Sequence, residues 1–157
     1  RNMKKIIIVL SIVLSGVFSG CTKMKVETAN VQGEWKLESF YGVEAAGSVA
    51  QEVYVDFKSD GSFELFQKLG DAGHFRYFKG SYSLNGTVLS GVYSDGTPWA
   101  ADYSAKNDAG KLRLTSTLSS GAGEYVYVRT EIPQSVRKDA EDYGTKTAMF
   151  EEYFPLL

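Results

Sequence analysis

From Gly33 onward, apolar and polar residues alternate with a period of two, the spacing that a strand with one buried face requires. Trp35, Leu37, Ser39 and Tyr41 fall on one face, with Lys36 and Glu38 on the other. Val53, Val55 and Phe57 alternate with Tyr54, Asp56 and Lys58. Ser59-Asp60-Gly61 then supplies a turn, and Phe63, Leu65 and Leu69 carry the alternation into a second strand. Asn85-Gly86 reads as the centre of a type I′ turn, because both residues tolerate positive φ. That turn pairs Leu84 with Thr87, Tyr82 with Leu89, Gly80 with Gly91 and Phe78 with Tyr93. Two facing glycines leave a gap in the apolar layer and let the sheet bend, as strands do at barrel corners. At the next turn a two-residue Asp95-Gly96 loop would send Trp99 and Tyr103 to the polar side. A three-residue loop with Gly96 left-handed instead puts Trp99, Ala101 and Tyr103 on the apolar side, with Trp99 over Gly91.

Leu112 and Leu114 continue the pattern, and a last strand runs over residues 124–131. Eight short strands with short connections and no long crossover predict an all-β fold, an eight-stranded antiparallel up-and-down barrel over residues 33–131. Past Ile132 the period becomes helical. Pro133 can open a helix, Val136, Ala140 and Tyr143 form one stripe before Gly144, and Met149, Phe150, Tyr153 and Phe154 follow at helical spacing. Residues 132–157 are therefore expected to be a C-terminal helical, aromatic tail packed on the barrel wall or over one end.

Composition narrows the function. The 157 residues suit one domain with a real core, and the 13% aromatic content fits β structure. A single Cys cannot pair within the chain, and one Cys with one His cannot build a Cys/His metal site. A net charge of −2 without a basic block argues against nucleic acid as a partner.

Ahead of the strands, Arg1, Lys4 and Lys5 precede an apolar run over residues 6–18 that is followed by Ser19-Gly20-Cys21. The run falls short of the ~20 residues that span a bilayer and ends in small residues, the order of a secretory signal that is removed. Val17-Phe18-Ser19-Gly20-Cys21 resembles the lipobox of bacterial lipoproteins. The resemblance implies that residues 1–20 are cleaved and that Cys21 is lipidated. Residues 22–32, polar and without periodicity, are expected to continue from Cys21 as a flexible tether, 21–32 in all. Each buried methylene contributes about 0.8 kcal/mol, so several acyl chains would anchor the protein durably. Losing Arg1, Lys4 and Lys5 leaves 14 cationic against 19 anionic side chains, net −5, so the lipid on Cys21 has to supply the membrane attachment. Thr22 stands where, in the lipoprotein sorting scheme, Asp would favour inner-membrane retention. The resemblance thus implies a cell-envelope protein at the outer membrane, facing the periplasm.

Gly33-Glu34-Trp35 opens the first barrel strand, and Tyr127-Val128-Arg129 lies on the last. With eight strands and a C-terminal helix, this arrangement resembles the lipocalin-like, or calycin, domains of small bacterial lipoproteins. The resemblance implies that Trp35 plugs the closed end of the barrel and that Arg129 packs across it as a cation–π lid.

Catalytic candidates are thin. His74 is the sole imidazole and sits beside Gly73 at a loop. Asp56 with Asp60, and Glu151 with Glu152, fall in turns or on a helical surface and read as solvated carboxylates rather than an acid/base pair. No G-x-S-x-G elbow and no phosphate-cradling loop occur. The sequence predicts no enzyme, no cofactor and no metal. Phe57, Phe63, Phe78, Tyr82, Tyr93, Trp99 and Tyr103 are expected to face inward, where an eight-stranded barrel either fills with side chains or holds one small hydrophobic ligand. Tyrosine hydroxyls are the expected polar handles. The rival expectation is a filled barrel that serves as an envelope interaction or scaffold protein.

Overall fold

The computed structural model describes residues 28–41, 51–70, 72–118, 123–142, 144 and 157. Cys21 and the signal-like run before it lie outside the described residues, as do Tyr143, Met149, Phe150, Glu151, Glu152, Tyr153 and Phe154. Eight strands form the wall: β1 (Gly33–Tyr41), β2 (Gln51–Phe57), β3 (Ser62–Leu69), β4 (Arg76–Asn85), β5 (Val88–Tyr93), β6 (Tyr103–Asp108), β7 (Lys111–Ser116) and β8 (Glu124–Arg129). Each pairs antiparallel with its successor, and β8 pairs with β1, which closes the barrel. The alternation places Trp35, Val53, Val55, Phe57, Phe63, Leu65, Phe78, Leu89, Leu112, Leu114 and Tyr127 inside, each at most 2% exposed. Burying one such side chain contributes about 1.5–3 kcal/mol.

The β4–β5 hairpin pairs differently from the type I′ expectation. Asn85 stays in the strand opposite Val88, so the chain turns at Gly86-Thr87. Only the first of those two residues has positive φ (Gly86, 63°), the pattern of a type II′ turn. Leu84 therefore faces Leu89, Tyr82 faces Gly91, and Gly80 faces Tyr93 rather than Gly91. The slip is two residues, so every side chain keeps its face. The following loop is the three-residue form: Tyr93 N–H donates to Thr97 O (2.8 Å) and Gly96 has φ 87°. Trp99 covers Gly91 so closely that a Cβ there would lie 2.2 Å from the indole.

Three other expectations change. In β1 the register shifts between Leu37 and Ser39, and this bulge turns Phe40 inward against Tyr125 (ring centroids 4.6 Å apart). Ser39 and Tyr41 therefore leave the inner face, and Tyr41 is 62% exposed. Residues 28–32 do not belong to the tether expected over residues 21–32, since Ala29 and Val31 are buried in the barrel core. Asn30 N–H donates to Asn107 Oδ1 (2.6 Å), and Asn107 Nδ2 donates to Asn30 O (3.0 Å). The helix α1 (Gln134–Asp139) is shorter than the stripe predicted, because Ala140 is extended and Glu141–Asp142 forms β9, parallel to β4 at Arg76 and Tyr77.

After β8 the chain crosses the outer wall. Ile132 and Val136 pack on Tyr54, Phe66 and Phe75, a second apolar cluster outside the barrel. Below it, Glu34, Asp56 and Glu64 stand directly across from one another on β1, β2 and β3. Three like charges in one cross-strand row repel. Arg137 of α1 answers them, with Nη2 2.7 Å from Glu34 Oε1 and 3.4 Å from Asp56 Oδ2, and Nη1 2.8 Å from Glu64 Oε2.

Candidate functional site

The barrel end where the chain enters is sealed by Trp35. Its indole is 2% exposed, its Nε1 donates to Val31 O (2.7 Å), and the Arg129 guanidinium lies 4.0 Å from its ring centroid. Arg129 also donates to Gln32 O (2.8 Å). The guanidinium is exposed, so its cation–π contact falls toward about 0.5–1 kcal/mol. Gly33 has φ 112°, and a Cβ on it would lie within 1.9 Å of the guanidinium. Its spacing from Trp35 in G-x-W thus reflects the space Arg129 needs.

Inside, the seven aromatic positions expected to point inward share one cluster. Phe57, Phe63, Phe78, Tyr93, Trp99 and Tyr103 are buried, and Tyr82 packs against them partly buried with its hydroxyl donating to Lys58 O (2.8 Å). Edge-to-face contacts link them: Phe63 to Trp99 at 5.1 Å, Phe63 to Tyr93 at 5.6 Å, and Trp99 to Tyr103 at 6.1 Å. Sequence reasoning missed Tyr125, Tyr127 and Gln67. Their signal was the same period two, since Tyr125 and Tyr127 share parity with Arg129, and Gln67 with Phe63 and Leu65. Leu157, the last residue of the sequence, is also buried in this cluster, 1% exposed, and its main-chain oxygen accepts a hydrogen bond from Tyr93 Oη (2.6 Å).

The interior is rich in hydroxyls and poor in charge. Among the described residues no charged side chain is buried, and Gln67 is the one buried polar residue besides the tyrosines and tryptophans. Burial pushes the hydroxyls of Tyr93, Tyr103 and Tyr127 well above the usual phenol range, and the neighbouring tyrosines add to it. These groups stay protonated donors at any physiological pH. Tyr103 and Tyr125 pack edge to face, with ring centroids 5.7 Å apart. Among the described residues two buried donors have no partner, Tyr127 Oη and Trp99 Nε1. Each such orphan costs about 1–3 kcal/mol.

Outside, an open groove of about 500 Å³ runs over Lys58, Ser62, Glu64, Tyr77, Lys79 and Ser94. Its charges are answered locally, Lys58 by Glu64 (3.1 Å) and Lys79 by Asp142 (3.5 Å). His74 lies on the surface, paired with Asp139 (2.9 Å). The Asp139 hydrogen bond raises the imidazole above its ordinary value, and Glu141 adds to this. Asp56 belongs to the Arg137 row rather than to a pair with Asp60, whose carboxylate holds Ser62 (2.6 Å). No group of three or more His, Cys, Asp or Glu side chains that could hold a metal occurs among the described residues.

The fold and the Trp35 end together make a closed antiparallel, lipocalin-like barrel with a first-strand tryptophan at its base under a last-strand arginine. The chain belongs to the lipocalin-like domain family, whose model matches residues 31–114. Among solved structures it is similar to a protein titled REP1-NXSQ fatty acid transporter, at 14% identity and a TM-score of 0.41, covering 65% of this chain and 97% of that one. It is also similar to the fluorescent protein UnaG, at 16% identity and a TM-score of 0.42, covering 64% and 97%. No curated protein matches the sequence.

Proposed function

We propose that this chain is a lipid-anchored, lipocalin-like module of the bacterial cell envelope that holds a small hydrophobic molecule inside its barrel. The observation that carries the reading is the inner layer itself, an aromatic wall with no buried charged side chain among the described residues, in which two hydrogen-bond donors stand unpaired. Such a lining suits an apolar molecule with few polar atoms. Binding rather than catalysis is the role proposed, because the sole imidazole pairs with Asp139 on the outer surface, away from this lining. The similar fatty acid transporter agrees in kind with the proposal but does not carry it. Native mass spectrometry of the purified protein, with organic extraction, is expected to release a co-purifying apolar molecule. Repeated recovery of the bare chain mass from its native host would count against the reading.

Contacts such as Phe63 with Trp99 and the burial of Leu157 favour a second reading, a filled barrel acting as an envelope scaffold. Failure of every apolar probe to bind would select it.

The anchor rests on Ser19-Gly20-Cys21 and on the absence of any other cysteine. Attachment at the outer membrane, on the periplasmic side, is part of the same proposal; Thr22 in place of Asp supports the membrane, and the lack of an acidic run in Thr22-Lys23-Met24-Lys25 supports the side. Cys21→Ala is expected to move the protein from the membrane fraction to the soluble fraction of fractionated cells. Unchanged membrane retention would refute lipidation at Cys21.

A further inference from the structure

The aromatic interior already holds an occupant supplied by its own chain. Leu157 belongs to no strand, yet it is 1% exposed and lies in the inner cluster, with its main-chain oxygen 2.6 Å from Tyr93 Oη. Strands β1 and β5 run in the same direction, with Trp35 near the start of β1 and Tyr93 the last residue of β5. Leu157 therefore meets the wall toward the end away from the Trp35 plug. The Tyr93 ring is fixed edge to face against Phe63 (5.6 Å) and Phe78 (6.0 Å), so its hydroxyl is aimed by the wall and not by Leu157. Wall residues such as Phe63 and Tyr93 are also held by strand pairing on both sides or one, which a residue outside the sheet lacks. An aliphatic group beside one hydrogen-bonded oxygen, seated among aromatic rings, is what a small amphipathic ligand would present to the same place.

Building on the ligand-binding reading above, we propose that Leu157 is a tethered stopper, which occupies the aromatic seat around Tyr93 and has to leave before an apolar molecule can enter. Its burial then reflects a removable occupant rather than a filled barrel. Because it belongs to the same chain, it competes at an effective concentration that dilution does not lower. A ligand that needs the seat open has its apparent affinity reduced to the fraction of molecules in which Leu157 has withdrawn. Withdrawal also frees Tyr93 Oη to donate to the incoming molecule.

Two measurements with the uncharged fluorophore N-phenyl-1-naphthylamine test this on the full chain. In the first, Leu157→Ser is expected to bind the fluorophore roughly tenfold more tightly than the unchanged chain while keeping a cooperative melt. In the second, made on the unchanged chain, saturating fluorophore is expected to speed the release of Leu157 by carboxypeptidase Y about fivefold, since binding and burial of Leu157 exclude each other. The stopper is overturned, with ligand binding intact, if the fluorophore binds both chains equally, or if bound fluorophore leaves leucine release unchanged. Loss of the cooperative melt in Leu157→Ser would make Leu157 part of the core and overturn it as well. If neither chain binds the fluorophore, the ligand reading itself falls, and the stopper with it.

Discussion

Gly91→Ala is expected to destabilise the barrel by about 3 kcal/mol, at the upper end for overpacking, and to lower its melting temperature by roughly 10 °C. The added methyl would meet three indole atoms of Trp99 at 2.2, 2.5 and 2.7 Å. Those atoms belong to a rigid ring that cannot swing aside, because Phe57, Phe63 and Tyr103 surround it. Trp99→Ala removes the ring and leaves a cavity, at about 3–5 kcal/mol. The double variant no longer contains the clash, so its loss is expected to fall short of the sum of the single losses by at least 1 kcal/mol. Thermal melts of the four proteins in a double-mutant cycle measure this coupling. Strict additivity would mean that the indole does not sit over Gly91 in solution.

Arg137→Met is expected to cost about 2 kcal/mol at pH 7, a figure reduced from that of a fully buried ion pair because Arg137 and its partners keep some contact with water. Methionine keeps the stem that packs near Phe66 and removes only the charge answering Glu34, Asp56 and Glu64. The pH dependence follows from Glu64. Burial alone would raise its carboxyl, but hydrogen bonds from Tyr77, Lys58 and Arg137 outweigh burial and hold it below its ordinary 4.5. A depressed carboxyl contributes stability above its unfolded value and loses it as pH falls through the folded one. The gap between native protein and variant is therefore expected to be widest near neutrality and to narrow below about pH 4.5, read by urea denaturation at pH 7 and pH 4. An equal loss at both pH values would place the effect in packing rather than in charge.

Period two carried most of the fold in the sequence, because a strand with one buried face must alternate whatever its neighbours are. That is why the inward set from Phe57 to Tyr103 was legible even though the β4–β5 hairpin pairs two residues away from the register that Asn85-Gly86 suggested. A one-residue error would have reversed the lining. Features that break the period were harder to read. The bulge after Leu37 exchanges Ser39 for Phe40, and nothing in the local composition marks it. Ala29 and Val31 are too few to show a pattern, and their burial depends on the distant Asn107. Ala140 sits at helical spacing from Val136, yet Glu141 N–H is drawn to Phe75 O (2.8 Å), so tertiary pairing overrides the stripe. The unpaired state of Tyr127 and Trp99 could not be read at all, since it depends on what eight strands bring near one hydroxyl and one indole.

The two residues of β9 have a consequence for how copies of this protein meet. Strand β4 outruns β5, whose pairing ends at Gly80 and Tyr93, so the start of β4 would offer bare amides and carbonyls to any extended chain nearby. Glu141 and Asp142 occupy that ledge beside Arg76 and Tyr77, Ser94 N–H takes Lys79 O (2.9 Å), and Asp142 pairs with Lys79. A foreign strand thus finds the ledge taken and an acidic side chain at its border, two devices that keep sheets from adding to one another. For a protein concentrated on a membrane surface, if Cys21 anchors it as proposed, that short strand is a guard against self-association into fibres.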